Sequence, residues 1–149
     1  PIASMVRLPT RLSDGKANLH QGAVGAGIDL NSGITTRAVW QNRPIDVHPD
    51  TGSIIGGLAI PHWNKLLTLA AQCYELVGLG YLGVDVVLDH ELGPLVLELN
   101  ARPGLSIQIA NGKGMEKRLT YIDQLSTIPD KAEDRAALAQ ALFRTEQNQ

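Results

Sequence analysis

The sequence has a single cysteine, little net charge and no long apolar segment. Cys73 cannot form a disulfide within the chain, and it belongs to no cysteine and histidine pattern of the kind that binds zinc. A lone cysteine fits a reducing compartment, so we expect a cytoplasmic protein. The net charge of −2 gives no general field that would attract nucleic acid or a membrane surface. No apolar run approaches the roughly 20 residues of a membrane span.

The length of 149 residues and the 44% share of apolar side chains are those of one globular domain with a sizeable core. The first residues have neither an initiator methionine nor the layout of a signal peptide, and they begin inside a strand-like run. We therefore expect the chain to be part of a longer protein.

Strand-like runs cover residues 1–8, 23–30 and 34–41. The last two are joined by Asn31-Ser32-Gly33, which is a turn sequence. The segment 44–60 is expected to be irregular with small strands.

A helix is predicted from Pro61 to a stop at Gly78. Its apolar face consists of Trp63, Leu66, Leu67, Ala70, Tyr74 and Val77. We expect Trp63 and Tyr74 on this face to be core. Further helices are predicted at 105–110, 115–125 and 131–146. Asp130 and Glu133 have the spacing of a capping box at the start of the last helix, and the tail from Thr145 to Gln149 is expected to fray. Together these elements predict an α+β domain, in which a mixed or antiparallel sheet is covered on one side by helix 61–77 and the carboxy-terminal helices.

Two aliphatic runs near the middle of the chain flank a short polar loop, which is the pattern of a β-hairpin. A loop of residues 90–93 pairs Asp89 with Pro94. Counting back along both strands then places Asp85 directly across from Glu98.

Asn100 lies two residues beyond Glu98, so it shares the same face of the strand. Two facing carboxylates destabilise a strand pair by repulsion, and a cation between them reverses that effect. Two carboxylates and one amide carbonyl form an oxygen set that suits magnesium. The alternative is that Asp85 is a solvated strand residue and that Glu98 pairs with a nearby lysine.

Two further places could contact an anion. Arg102 follows the second hairpin strand, where a guanidinium could hold a phosphate oxygen. The alternative for Arg102 is a salt bridge to Glu98 or Asp85. Lys16 and Asn18 lie two residues apart in a glycine-flanked loop, where they could offer an ammonium and an amide to anionic oxygens, or simply be solvated.

Two other features are read as structural. The glycines at 22, 25 and 27 do not have dinucleotide-binding spacing, and a strand rather than a helix follows them. His48 has no partner at metal-ligand spacing, so we expect it to cap or hydrogen-bond within the turn at residues 49–52.

Several of these segments resemble one superfamily. Gly83-Val84-Asp85 together with residues 93–105 resembles the carboxy-terminal metal motif of the ATP-grasp superfamily. Residues 16–22 are similar to the loop of the α-L-glutamate ligases, which add glutamate to a ribosomal protein and related acceptors. Residues 48–52, and Ile60-Pro61 with Trp63, resemble the ATP-grasp branch associated with sugar transfer.

The resemblance covers about residues 1–112, and it implies a domain division. Residues 1–112 would be an ATP-grasp carboxy-terminal subdomain, and residues 113–149 a helical extension of the same domain. Asp85, Glu98 and Asn100 match the residues that hold two magnesium ions bridging the ATP phosphates.

The resemblance also implies roles for four other residues. Lys16 matches a basic residue that contacts the transferred phosphate or the acyl phosphate, and Asn18 matches an amide at the same end of the site. Arg7 matches an arginine at the end of a strand that faces the site. Arg102 departs from the pattern, since glutamate ligases more often have a small residue there. It either binds a substrate carboxylate or phosphate, or braces Glu98.

The implied function is that of an ATP- and magnesium-dependent carboxylate–amine ligase that works through an acyl phosphate. Its partners would be small-molecule or peptide carboxylates and amines, with homo-oligomer formation left open. Such enzymes clamp ATP between two subdomains, so we expect this chain to lack the amino-terminal clamp and to be inactive alone. The alternatives are a non-catalytic ATP-grasp module that binds nucleotide or a partner, and a structural domain whose acidic pair meets a basic partner.

Overall fold

The computed structural model describes residues 1–144. Within them the chain has an α+β fold, as predicted, and also one 3₁₀ turn at Leu19–Gln21. The elements in chain order are β1 (Met5–Leu8), β2 (Val24–Ile28), β3 (Thr35–Trp40), β4 (Arg43–Ile45), α1 (Trp63–Val77), β5 (Gly83–Asp89), β6 (Gly93–Asn100), α2 (Ser106–Asn111), α3 (Glu116–Asp123) and α4 (Ala132–Leu142). In this part of the chain no helix is long and apolar enough to cross a bilayer.

The first four strands form an antiparallel sheet in the order β1-β2-β3-β4. The strands predicted at 23–30 and 34–41 are confirmed, whereas the first strand begins at Met5 rather than at Pro1. Gln41 and Asn42 connect β3 to β4 with φ values of 49° and 61°. Two consecutive residues with positive φ are the backbone of a tight hairpin turn whose twist matches that of the strands.

One face of this sheet is shaped by glycines on β2. A Cβ added to Gly27 would lie 2.8 Å from Asn111 Oδ1 and 2.9 Å from the Ala110 carbonyl oxygen. A Cβ on Gly25 would lie 3.6 Å from the Cβ of Ala110. Gly27 therefore lets α2 lie close against the strand, whereas the tightest contact at Gly25 would be with Leu19, at 3.2 Å.

The opposite face of the sheet carries an apolar core. Val24, Ala26 and Ala38 are buried there against Ile55, which comes from the irregular segment after β4. Alternation along β2 explains the division, because successive side chains point to opposite faces of a strand. Aliphatic side chains thus build the core on one face while glycines admit a helix on the other.

A second core forms where α1 packs on α4. Leu30, Leu67, Ala136, Ala139 and Phe143 are its buried members. The stop of α1 at Gly78 is confirmed, since Gly78 N–H donates to the Tyr74 carbonyl oxygen at 2.7 Å. The assignment of Tyr74 to the core is wrong. Tyr74 is 50% exposed, and its ring is covered by the guanidinium of Arg135 rather than by an apolar side chain.

Strands β5 and β6 form a separate two-stranded sheet, so the expected single sheet is in fact two. The hairpin packs on α1, while α2 covers the four-stranded sheet. A lone hairpin is marginal in water, and packing against a helix supplies the stability it needs.

The carboxy-terminal helices differ from the prediction in their ends. α4 ends at Leu142, and Lys131 rather than Asp130 precedes it, with no side-chain cap. The predicted capping box of Asp130 and Glu133 is therefore wrong. The predicted continuation to 146 passes into residues 145–149, and together with the frayed tail it lies outside the described residues.

Candidate functional site

Asp85 and Glu98 are directly paired across β5 and β6, as the hairpin pattern predicted. The route to that pairing differs from the prediction. The loop has three residues, 90–92, so Asp89 pairs with Gly93, which closes the turn with a φ of 76°. An extra residue, Leu97, then bulges from β6 between the pairs Asp85–Glu98 and Val86–Val96. The shorter loop and the bulge offset each other, so the two acids still face one another.

Asn100 is paired with Gly83 and lies on the face that carries Asp85 and Glu98. A Cβ on Gly83 would lie 2.7 Å from Pro103 Cβ. Gly83 therefore lets Pro103 fold back over the start of β5, and this contact sets the direction in which the chain leaves β6.

The two faces of the hairpin have different surroundings. The face opposite the acids packs towards α1. Near the turn its Leu88 is exposed, and its other side chains are buried or half-buried: Val84, Val86, Pro94, Val96 and Leu99. On the acid-bearing face Glu98 is exposed, and the Asp85 side chain retains 31% of its surface. Val87 and Leu95 continue this face beyond the acids and are also exposed. A polar patch followed by an aliphatic surface is therefore open to a ligand.

Asp85 has a basic partner. Arg7 Nη2 donates to Asp85 Oδ1 at 2.9 Å, and the Arg7 side chain is 37% exposed. Arg7 is paired with Gly25 in the sheet, so it lies on the glycine face, from which it reaches the hairpin. The family resemblance implied that Arg7 faces the site, but the sequence did not predict its ion pair with Asp85.

Lys16 and Asn18 lie in the loop between β1 and β2, whose two ends are joined by a side-chain hydrogen bond. Buried Thr10 donates from Oγ1 to the Gly22 carbonyl oxygen at 2.8 Å. Lys16 Nζ lies 3.7 Å from Asp14 Oδ2, and Asn18 Oδ1 accepts from His20 N at 3.0 Å as the cap of the 3₁₀ turn. Neither side chain contacts the hairpin acids within residues 1–144. Their predicted contacts with phosphate or nucleotide stay predictions.

Arg102 lies in the exposed bend after β6. In the described part of the chain it forms no ion pair with Glu98 or Asp85. The bracing role is therefore not seen, and the role in binding a substrate carboxylate or phosphate stays a prediction.

His48 has the structural role that the sequence predicted. Its Nδ1 accepts from Asp50 N at 3.3 Å, so Nε2 carries the proton and donates to the Pro9 carbonyl oxygen at 3.0 Å. Asp50 Oδ2 also accepts from Arg11 N at 2.7 Å. These bonds hold the start of the Lys16 loop against the turn that follows β4.

The donor set fits a magnesium ion in its chemistry. Two carboxylates and an amide carbonyl share one open face, and hard oxygen ligands suit that ion. Across residues 1–144 no three His, Cys, Asp or Glu side chains cluster as metal ligands, so Asn100 and water would have to complete the coordination. Arg7 occupies Oδ1 of Asp85 and is the competitor that an ion would meet.

The comparison with protein families agrees with the resemblance in the hairpin. The family model described as sugar-transfer associated ATP-grasp matches residues 1–124. No curated protein and no solved structure is significantly similar to the chain. Because the match covers most of the chain and includes the whole hairpin, the protein belongs to the sugar-transfer associated ATP-grasp family.

Proposed function

We propose that this chain is the metal-binding part of an ATP- and magnesium-dependent carboxylate–amine ligase of the glutamate ligase type. The observation that carries the proposal is the direct pairing of Asp85 with Glu98 on an open face, with Asn100 beside them. Family membership supports an ATP-dependent activity of the ligase type, since ATP-grasp proteins are generally enzymes that use ATP in such reactions.

The chemistry requires positive charge near the phosphates. A carboxylate is a poor acylating agent. Its oxygen attacks the γ-phosphorus of ATP, the bond to the β–γ bridging oxygen breaks, and an acyl phosphate and ADP result. An amine then attacks the acyl carbon, the C–O bond to phosphate breaks, and an amide and free phosphate result. Charge accumulates on the transferred phosphoryl oxygens, so cations placed around them lower the barrier.

Each predicted site residue has a part in this scheme. Asp85, Glu98 and Asn100 would hold the magnesium ions, which supply charge neutralisation to the ATP phosphates when bound. Arg7 orients Asp85 and adds a positive charge at the same place. Lys16 and Arg102 would contact the transferred phosphate or a substrate carboxylate, and Asn18 would bind beside Lys16.

The substrates are small-molecule or peptide carboxylates and amines, and the protein is cytoplasmic and binds neither nucleic acid nor membranes. Homo-oligomer formation is left open. The second half of the nucleotide clamp is supplied outside the described residues, so the chain alone binds ATP weakly and does not turn it over.

Magnesium titration tests the metal site directly. Thermal melts of the 149-residue chain should shift upwards with magnesium, because an ion that binds the native state stabilises it by mass action. Asp85→Asn and Glu98→Gln should each abolish the shift, whereas Glu91→Gln in the exposed hairpin loop should retain it. An equal shift in all three variants, or none in the unmodified chain, contradicts the metal site.

Calorimetric titration with ATP and magnesium tests the divided clamp. Weak binding is expected for the chain alone, and micromolar affinity would contradict the proposal that half of the clamp is elsewhere.

The ion pair between Arg7 and Asp85 favours a second candidate, a non-catalytic ATP-grasp module that binds nucleotide or a partner. A guanidinium that neutralises Asp85 does in part what a metal ion would do. ADP release by the full-length protein separates the candidates. A ligase loses it in Asp85→Asn, Glu98→Gln and Asn100→Ala, whereas a non-catalytic module releases no ADP before any substitution.

A further inference from the structure

A cavity of about 550 Å³ lies on the face of the four-stranded sheet that carries the β2 glycines. The loop between β1 and β2, the turn between β3 and β4, and α2 contribute its walls. We call it the amide cavity, after the amide side chains of Gln21, Gln41 and Asn42 that line it. Its volume is within the range of cavities that bind small ligands.

The floor of the amide cavity is aliphatic. Leu12 and Leu19 line it from the loop, Val39 from the sheet and Ile109 from α2. Val39 is buried, whereas Leu12 and Ile109 are 55% and 47% exposed, so a ligand can still bury apolar surface against them. Among the described residues no aromatic ring lines the cavity, which favours an aliphatic group over a flat ring that binds by stacking.

The polar side chains around this floor are neutral and have no partner in the described part of the chain. Gln21, Gln41 and Asn42 are exposed, and within residues 1–144 none of their side chains makes a hydrogen bond. No described Asp, Glu, Lys or Arg lines the cavity, and His20 is the one titratable residue there. Each carboxamide offers both donors and an acceptor, so the cavity suits an uncharged ligand that has both kinds of group.

Two of these amides come from a backbone conformation that their residue types rarely adopt. Gln41 and Asn42 have φ values of 49° and 61°. Asn tolerates this left-handed region, whereas Gln adopts it at an energetic cost that glycine would avoid. The turn itself therefore does not explain a glutamine at position 41, and strained residues of this kind are concentrated at functional sites.

The amide cavity lies on the same face of the sheet as Arg7. Arg7 is paired with Gly25, and Gly25 is paired with Val39, so Val39 lies two strands from Arg7, roughly 10 Å away. Arg7 in turn contacts Asp85 at 2.9 Å. An extended chain spans 10 Å in about three residues, so one small ligand can reach from the cavity to the proposed metal site.

We propose that the amide cavity binds the uncharged, peptide-like part of a substrate. An aliphatic side chain packs against the floor, and peptide groups pair with the carboxamides of Gln41 and Asn42. A peptide group has one N–H donor and one carbonyl acceptor, which match the two kinds of group that a carboxamide offers. That the ligand is a ligase substrate rests on the function proposed above, whereas its binding requires neither ATP nor magnesium.

NMR titrations of the isotope-labelled 149-residue chain test the proposal, because the side-chain amide signals of Gln21, Gln41 and Asn42 report on binding directly. N-acetyl-leucinamide has two amides and an aliphatic side chain, N-acetyl-glycinamide lacks the side chain, and methyl glucoside offers neutral hydroxyls instead of amides. N-acetyl-leucinamide should shift these signals to saturation. N-acetyl-glycinamide should bind about tenfold more weakly, as expected when a leucine side chain is no longer buried.

A glycine substitution separates binding from folding. Glycine adopts a φ of 49° without strain, so Gln41→Gly should keep the fold and weaken N-acetyl-leucinamide by about fivefold, as expected for a lost hydrogen bond. His62→Gly is the matched control. His62 also has a positive φ, of 57°, and lies outside the amide cavity, so this variant should leave the affinity unchanged.

The proposal is overturned if N-acetyl-leucinamide leaves the three amide signals unchanged, or if N-acetyl-glycinamide or methyl glucoside binds as tightly. Equal effects of Gln41→Gly and His62→Gly would also overturn it. Asp85→Asn should retain probe binding, so the two proposals can fail separately. Failure of the metal site removes the magnesium shift and leaves probe binding intact, whereas failure of the amide cavity does the reverse.

Discussion

Arg7 Nη2 lies 2.9 Å from Asp85 Oδ1, and this ion pair joins β1 of the four-stranded sheet to β5 of the separate hairpin. It brings a cation to the place where two carboxylates face each other. The same contact can therefore stabilise the metal-free protein and compete with a bound ion.

Replacement of Arg7 separates those two effects. Arg7→Gln should lower the free energy of unfolding by only about 0.5 kcal/mol without metal, because both partners are about one-third exposed and water screens the pair. It should enlarge the increase in melting temperature that magnesium causes, since the carboxylate pair is then left without its cation. Arg11→Gln, which removes another exposed arginine, is the control for both melts. A magnesium effect that shrinks in Arg7→Gln would contradict the prediction.

The contact between β2 and α2 should be intolerant of a methyl group. Gly27→Ala places a Cβ within 3 Å of the Ala110 carbonyl oxygen and Asn111 Oδ1, so we expect a loss of about 1–3 kcal/mol in the free energy of unfolding. Urea denaturation measures it. Gly80→Ala is the matched control, because its Cβ meets nothing within 4 Å and its φ is not positive. Equal midpoints for the two variants would disprove the close approach.

Arg135 links α4 to α1. It donates to the Ala71 carbonyl oxygen at 3.0 Å, pairs with Glu75 and stacks on Tyr74. Arg135→Met should cost about 1–2 kcal/mol of stability, for the lost backbone hydrogen bonds and the lost ring contact. Urea denaturation, with Arg43→Met as the control, measures the difference. No loss relative to that control would show that the two helices do not need this contact.

The hairpin turn should weaken in acid. Asp89 Oδ1 accepts from Leu92 N at 2.8 Å and Glu91 N at 2.9 Å, and these bonds hold the pKa of the carboxyl below its usual value. The stabilisation that these two bonds give is therefore complete above the pKa of Asp89 in the unfolded chain, which is about 3.9. It is lost as the pH falls through the lower pKa that Asp89 has in the folded protein.

Asp89→Asn tests this, because an amide keeps the acceptor and cannot ionise. Urea midpoints measured between pH 6 and pH 2 should fall less steeply for the variant than for the unmodified chain. Parallel pH profiles would mean that Asp89 does not contribute to the acid dependence.

The candidate metal site could be predicted from the sequence, although by a route that was partly wrong. A four-residue loop with an unbroken ladder leads to the same pairing of Asp85 and Glu98 as the three-residue loop with a bulge at Leu97. Turn residues and strand alternation are short-range signals and put the acids on one face. The bulge could not be foreseen, because a single extra residue leaves no mark in an aliphatic run.

For Asn18 and Tyr74, the local sequence pattern did not predict the role that the side chain has in the structure. Asn18 looks like an amide offered to a ligand, yet its oxygen caps the 3₁₀ turn. Tyr74 has the spacing of a core residue, yet it is half exposed, and α4 contributes the guanidinium of Arg135 rather than an apolar side chain to its ring. Helical spacing identifies an apolar face, and only the partner helix determines which part of that face is buried.

Local patterns were sufficient to predict the α+β class, most of the strands, the end of α1 and the pairing of the two acids, because alternation, turn chemistry and helix stops act between residues close in the chain. The contact of Arg7 with Asp85, which is 78 positions away, and the meeting of Leu19, Val39 and Ile109 around one cavity arise from packing between distant segments. Such contacts depend on how separate sheets and helices pack, and packing is set by the shapes of whole surfaces rather than by the order of neighbouring residues.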